Sequence, residues 1–183
     1  MKVEIITSTQ QDVIGKCATI CYGSKYRDGL VHSLVHSHGH LAVLRFAFVV
    51  IKVSDISVAC QNQFVRSKHL DFLVESKRYV NASTRGFVMP ALDERTELEV
   101  SRHVDRTMAL YDELINSGVK KEDARSILPA NIMTSLHAAG NLQAWSDFIK
   151  LRNTKHAQKE IREVAIEIKR QLAELYPEVF IGE

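Results

Sequence analysis

The sequence predicts an α+β domain, a small sheet flanked by helices. Two observations carry this prediction. Apolar residues recur at three- and four-residue spacings in several stretches, the mark of one-faced helices. A run rich in Phe, Val and Ile, LRFAFVVIKV at 44–53, sits in the first half and reads as a buried strand. Pro (3) and Gly (8) are scattered, and no linker, repeat or low-complexity tract divides the chain, so residues 1–183 are read as one domain.

The elements follow in order. Residues 2–6 read as a first strand and 10–18 as a helix. Residues 29–37 read as a second helix, closed by Gly39. After the strand at 44–53, Asp55 reads as a helix N-cap. Ile56, Ala59, Cys60 and Phe64 then form one apolar face, with Gln63 beside it. Residues 95–116 form a helix with a stripe of Leu98, Val104, Met108, Tyr111 and Ile115, ended by Gly118. Residues 123–128 form a short helical piece stopped by Pro129. The last helix spans about 153–176, with Ala157, Ile161, Ala165, Ile168, Leu172 and Leu175 on one side and Pro177 at its end.

Hydrophobic residues make up 45% and charged residues 25%, which argues against disorder, collagen and a disulfide scaffold. Lys plus Arg is 24 and Asp plus Glu is 22, a net charge of +2. A binder of long nucleic acid shows a larger basic excess, so no nucleic-acid partner is expected. Any anion site must come from local placement of cations. Cys17, Cys21 and Cys60 form no CxxC pair, and their odd number fits a reducing compartment. The first residues carry Glu4 and lack a long apolar core, unlike a signal peptide. The apolar run at 41–53 is broken by Arg45 and Lys52 and is shorter than the roughly 20 residues a membrane span needs. A cytoplasmic protein with no membrane partner is expected.

Two clusters could carry chemistry. His32, His36, His38 and His40 crowd into nine residues, and His32, His36 and His40 follow one another at one-turn spacing. That is metal-ligand spacing, but no HExxH and no carboxylate accompany it, so a solvated helix end is the competing reading and no metal is expected. His40 is the member placed to point into a site. The second cluster is basic. Arg66, Lys68, His69, Lys77 and Arg78 surround Ser76 and Tyr79, Arg125 precedes LPAN, and Lys150, Arg152, Lys155 and His156 follow later. Arginines from three segments could converge on one small anion, each charge-assisted contact adding about 1.5–3 kcal/mol. The alternative is that each is solvated or caps a helix. There is no GxGxxG, no P-loop and no GxSxG around Ser76.

The stretch Arg66-Ser67-Lys68, seven residues, then Ser76 resembles the signature of the flavin-dependent thymidylate synthases, Arg-His-Arg, seven residues, Ser. Gln63 precedes it by three positions and Arg78-Tyr79 follow it. RSILPANIMT at 125–134 is similar to the family's Arg-x-x-Leu-Pro segment, and Asn141 follows at the expected distance. FIKLRNTKHAQKEIRE at 148–163 is similar to the family's Leu-Arg followed by His-Ala-Gln-x-Glu-Ile-Arg. With His38-Gly39-His40 in order, the resemblance spans nearly the whole chain.

The resemblance implies methylation of dUMP to dTMP at ring carbon five. Methylenetetrahydrofolate would supply the carbon and FAD the hydride, with NADPH regenerating the reduced flavin. It also implies a homotetramer whose active sites are shared between subunits. Arg152 would stabilise charge on the uracil, Ser76 would lie near phosphate and base, and His40 near the reacting centre; these three form the implied catalytic set. Gln63, Arg66, Ser76, Lys77, Arg78, Arg125 and Arg152 form the implied substrate set. Arg66, Ser67, Lys68, Asn141 and Asp147 fall on flavin-contacting positions. The departures cluster on the flavin side. Ser67 and Lys68 replace His and Arg, and Leu73 and Val74 stand where Asn and Glu are usual. Gln143 replaces a basic residue, Asp147 an Asn, and Ala42, Val43 and Leu44 a Thr-Pro-Phe segment. Lys cannot reproduce a bidentate Arg contact. Two alternatives remain open: a related methylase or hydroxymethylase acting on UMP or dCMP, and a nucleotide-binding homologue that has lost flavin-dependent catalysis.

Overall fold

The structure, a computed structural model, describes residues 1–180. Strands β1 (Lys2–Ser8), β2 (Phe48–Ser57), β3 (Asp71–Val74) and β4 (Met133–Asn141) form an antiparallel sheet in the order β1-β2-β4-β3. The helices are α1 (Gln11–Tyr22), α2 (Leu30–His32), α3 (Val58–Phe64), α4 (Glu94–Asn116), α5 (Lys121–Ala124), α6 (Leu142–Arg152), α7 (Lys159–Leu175) and α8 (Pro177–Phe180). A π-helical turn, Ser33–Ser37, continues α2, and 3-10 turns occupy Leu41–Phe46 and Arg125–Ile127. The α+β prediction is met.

The sheet has one buried face. Val49, Ile51 and Val53 of β2 pair with Gly140, Ala138 and Leu136 of β4, and all six point into the core. Trp145, Phe148 and Ile149 of α6 and Ile161, Val164, Ala165, Ile168 and Leu172 of α7 close over that face. Each large side chain so buried contributes about 1.5–3 kcal/mol. Phe64 of α3 stacks on Phe148 at 4.4 Å between ring centroids and meets Trp145 and Phe72 edge-on. Helix α3 is thereby fixed against α6, which sets the geometry of the site described below. A second, smaller core gathers Tyr111 of α4 with Ala82, Ala124 and Ile132.

Several expectations shift. The strand expected at 44–53 starts at Phe48, because Leu41–Phe46 curls into a 3-10 turn that buries Leu44. Asp55 is not a helix cap. It sits in a bulge of β2 with φ 58°, where the register to β4 shifts between Val53 and Ile56. Asp is among the few side chains that tolerate this left-handed conformation. The cap is Ser57, whose Oγ accepts from Cys60 N at 2.9 Å. Ser57 is also held by α7, donating from N and Oγ to the two oxygens of Glu160 at 2.7 and 2.6 Å. The last long helix begins at Lys159, not near 153. Leu98 and Leu175 face outward, 52% and 41% exposed, so those two leave their stripes. β3, β4 and α6 lie where the sequence predicts no element. Among the described residues no helix is long and apolar enough to cross a membrane.

Candidate functional site

Arg152 ends α6, and its Nη2 donates to the carbonyl of Gln63 at 2.6 Å, capping α3. Its Nε is buried and has no hydrogen-bond partner among the described residues. A guanidinium donor shielded from water and unpaired is costly, and it is the kind of group a ligand oxygen satisfies. The Gln63 amide donates to Gln158 Oε1, so Gln158, from the HAQ segment, joins the group. Cys60 lies behind it, fully buried. Burial pushes its thiol well above the ordinary range, the Glu160 carboxylate adds to the shift, and only Arg152 opposes it. Cys60 is therefore an inert thiol, not a nucleophile.

Arg78 and Arg125 both bond Glu122, a residue the sequence reading does not single out, one on its carboxylate and the other on its carbonyl. Arg78 donates from Nε and Nη2 to Glu122 Oε2 at 3.2 and 3.1 Å, and Arg125 Nε donates to the Glu122 carbonyl at 3.2 Å. The Arg78 guanidinium also lies 5.9 Å from the Tyr79 ring centroid, and Lys121 donates to the Tyr79 carbonyl. One cation, Arg78, holds the partly exposed Glu122 carboxylate, while Arg125 and Lys121 are engaged on backbone carbonyls beside it. Arg152 with Gln63 and Arg78 with Glu122 are thus two hydrogen-bonded groups.

Ser76 sits between them in sequence. Its Oγ accepts from Arg78 N at 3.3 Å, and its carbonyl accepts from Tyr79 N and Val80 N. The turn aims Arg78 rather than activating the hydroxyl, since no base holds Ser76 Oγ among the described residues. The Lys77 side chain is engaged within the chain. Its Nζ points inward, donating to Glu75 Oε1 at 2.6 Å and the Met133 carbonyl at 2.8 Å, with 11% of the side chain exposed. The reason is charge: Glu75 is itself 9% exposed and takes Lys77 on one oxygen and Arg85 on the other. This triad anchors the turn that carries Ser76 and Arg78. Its signal in the sequence was Glu75 and Lys77 flanking a serine, but Arg85 lies ten residues on.

Arg66, Ser67, Lys68 and His69 line a recess of about 260 Å³ with Ala144, Asp147, Phe148 and Leu151 of α6. Gly140 permits it. A Cβ there would meet Leu70 Cδ2 at 2.4 Å and the His69 carbonyl at 3.3 Å, so only glycine lets the 69–70 segment lie against the start of α6. Ser67 Oγ is buried without a partner, and Arg66 and Lys68 are exposed cations. These groups suit a diphosphate. Asn141 caps α6, accepting from Ala144 N at 2.9 Å, and Asp147 accepts from Gln143 Nε2 at 2.9 Å. The Asp147 carboxylate is the one anion on this recess. Its pairing with Gln143 offsets part of the conflict.

His40 stands at the head of the Leu41–Phe46 turn, its N donating to the Leu34 carbonyl at 2.8 Å. Among the described residues no group of three His, Cys, Asp or Glu could hold a metal ion.

Residues 4–178 match the family described as "Thymidylate synthase complementing protein". The chain is 34% identical over 160 residues to proteins named "Flavin-dependent thymidylate synthase" from Mycobacterium avium and Mycobacterium marinum, and 33% identical to one from Mycobacteroides abscessus. Each match covers 78% of this chain and 64% of the relative's length. The two basic groups and the recess lie on the segments that carry the resemblance, and with a family match over nearly its full length this chain belongs to the thymidylate synthase complementing protein family.

Proposed function

We propose that this protein methylates dUMP to dTMP at ring carbon five in a flavin-dependent reaction, with methylenetetrahydrofolate as carbon donor and NADPH as reductant. The observation that carries this reading is the buried, unpartnered Arg152 Nε, held beside Gln63 by the bond from Nη2 to the Gln63 carbonyl. A nucleotide phosphate suits the Arg78 guanidinium, which here lies on the Glu122 carboxylate, better than a carboxylate does, because it adds charge and oxygens. Arg152 and Gln63 would face the pyrimidine, and the unpaired Arg152 Nε would stabilise negative charge developing on its carbonyl oxygens. In this reading the two groups border sites that protomers share, as in a homotetramer.

Arg66, Ser67 and Lys68 would hold the diphosphate of FAD against α6, with Asn141 and Asp147 at the helix's first turns. The flavin, when bound, supplies hydride chemistry that no side chain can. His40 would border the reacting centre.

Tritium release from dUMP labelled at carbon five, with methylenetetrahydrofolate, FAD and NADPH present, tests the reaction. UMP and dCMP run in parallel identify the preferred pyrimidine. The Asp147 carboxylate on the flavin recess favours a second reading, a nucleotide binder without flavin turnover. Saturable dUMP binding without tritium release would select that reading. Arg78→Ala is expected to weaken dUMP binding about tenfold or more by calorimetry, the loss of one charge-assisted pair at about 1.5–3 kcal/mol, while FAD affinity stays near wild type. Unchanged dUMP affinity would remove Arg78 from the phosphate.

A further inference from the structure

We propose that a recess between the end of α1 and the Ser33–Ser37 turn is a second anion site, built for a phosphomonoester on a small molecule with an apolar body. The recess, about 460 Å³, is lined by Lys25, Arg27, Leu30, Leu34, His38 and His40, with Ser24 and Ser33 between them. That volume lies in the range of small-ligand sites. Its polar side chains are two cations, two imidazoles and two hydroxyls, with no carboxylate among them. Lys25 and Arg27 make no ion pair among the described residues. Leu30 and Leu34 supply an apolar surface beside this charge.

The chain sorts its charges here. Tyr26, between Lys25 and Arg27, turns the other way and packs on Gly15 of α1, where a Cβ would meet its ring at 2.4 Å. The ring pins the segment, so its two basic neighbours face the recess. Two carboxylates of this region, Asp12 and Glu178, are engaged by other partners. Asp12 pairs with Lys16 at 2.6 Å, and Glu178 accepts from Gln11 Nε2 at 3.1 Å and His32 N at 3.0 Å. Burial, then Glu178, Asp28 and Asp12, raise the Tyr26 phenol above its ordinary range, which places those acids near it.

The histidines are arranged as well. His38 Nδ1 donates to the Ser33 carbonyl at 3.0 Å, which fixes the orientation of the ring. Gly39, at φ 64°, makes the left-handed turn that brings the His40 ring 5.7 Å from that of His38. Two fixed charges match a phosphate dianion, and the number of donors exceeds what a carboxylate's two oxygens can use. The recess holds neither Arg78 nor Arg125, and it shares only His40 with the residues given to the proposed methylation, so phosphate binding here is read separately from turnover.

Phenyl phosphate is the probe, with inorganic phosphate and benzoate as comparisons, followed by calorimetry and by the ring resonances of labelled histidine. Phenyl phosphate is expected to bind saturably, more tightly than either comparison, and to shift the His38 ring signal. The Lys25→Ala/Arg27→Ala variant, whose changes are both on exposed side chains, is expected to weaken it at least tenfold with an unchanged circular dichroism spectrum. Arg78→Ala should leave it unaltered. Equal affinity in the double variant, an equal loss in Arg78→Ala, or no saturable binding would each overturn the proposal.

Discussion

Replacing Arg152 with alanine is expected to lower tritium release from labelled dUMP by about 10²–10³-fold, the usual effect of removing one donor preorganised for developing charge. The geometry says why this arginine should matter more than its neighbours. It sits at the end of a helix whose other face carries Trp145, Phe148 and Ile149 in the core, so its backbone cannot drift. One nitrogen is fixed on the Gln63 carbonyl and another is buried without a partner. A donor that is already desolvated and already aimed costs little reorganisation when charge appears on a substrate oxygen. Loss of the cap on α3 would itself cost about 1.5–3 kcal/mol, the range for a hydrogen bond to a charged group. Arg152→Lys separates the two effects. Lysine keeps the charge and can still cap a carbonyl, but it has no planar fork, so the folded state should be largely restored and turnover should not. Turnover in Arg152→Ala within a few-fold of the wild type would refute the role.

The segments that declared themselves in the sequence share one property: their buried side chains are large. Helix α7 shows Ile161, Ile168 and Leu172 on its buried face, and it was legible over most of its length. Strand β4 was not, though it lies between β2 and β3 in the sheet. Its inward residues are Thr134, Leu136, Ala138 and Gly140, and its outward ones include Ser135 and His137, so hydrophobic alternation is nearly absent. Small residues are what the place demands, since Gly140 must admit Leu70. Helix α6 had a usable signal, Asn141 as a cap and then Leu142, Trp145 and Phe148 at threes, which the motif content of the same stretch obscured. In the candidate site, residue types could be read but pairings could not. Arg78 and Arg125 were visible as cations. Glu122, which receives both, looks like any helix-surface glutamate, and only the fold brings it across from residue 78.

Glu75→Ala is expected to destabilise the fold by about 3 kcal/mol, the low end of the cost of removing one partner from a buried charge group. Surface pairs such as Arg170–Glu174 are worth about 1 kcal/mol or less. The contrast comes from burial. Glu75 and Lys77 have side chains 9% and 11% exposed, and with the carboxylate gone Lys77 keeps only the Met133 carbonyl. Arg85 is 36% exposed and can recover water, which keeps the expected loss below the upper end. Glu75→Gln retains the acceptor oxygen without the charge and should fall between the two. Urea denaturation gives the values, and the cycle with Lys77→Met isolates the pair. If Lys77→Met in the Glu75→Ala background restores stability, the penalty was an unpaired buried ammonium. Glu75→Ala should also weaken dUMP binding, because Ser76 and Arg78 ride on the turn that the Glu75 carboxylate fixes through its two cations. A loss of stability under 1 kcal/mol would show that the triad is a surface arrangement and that something else aims Arg78.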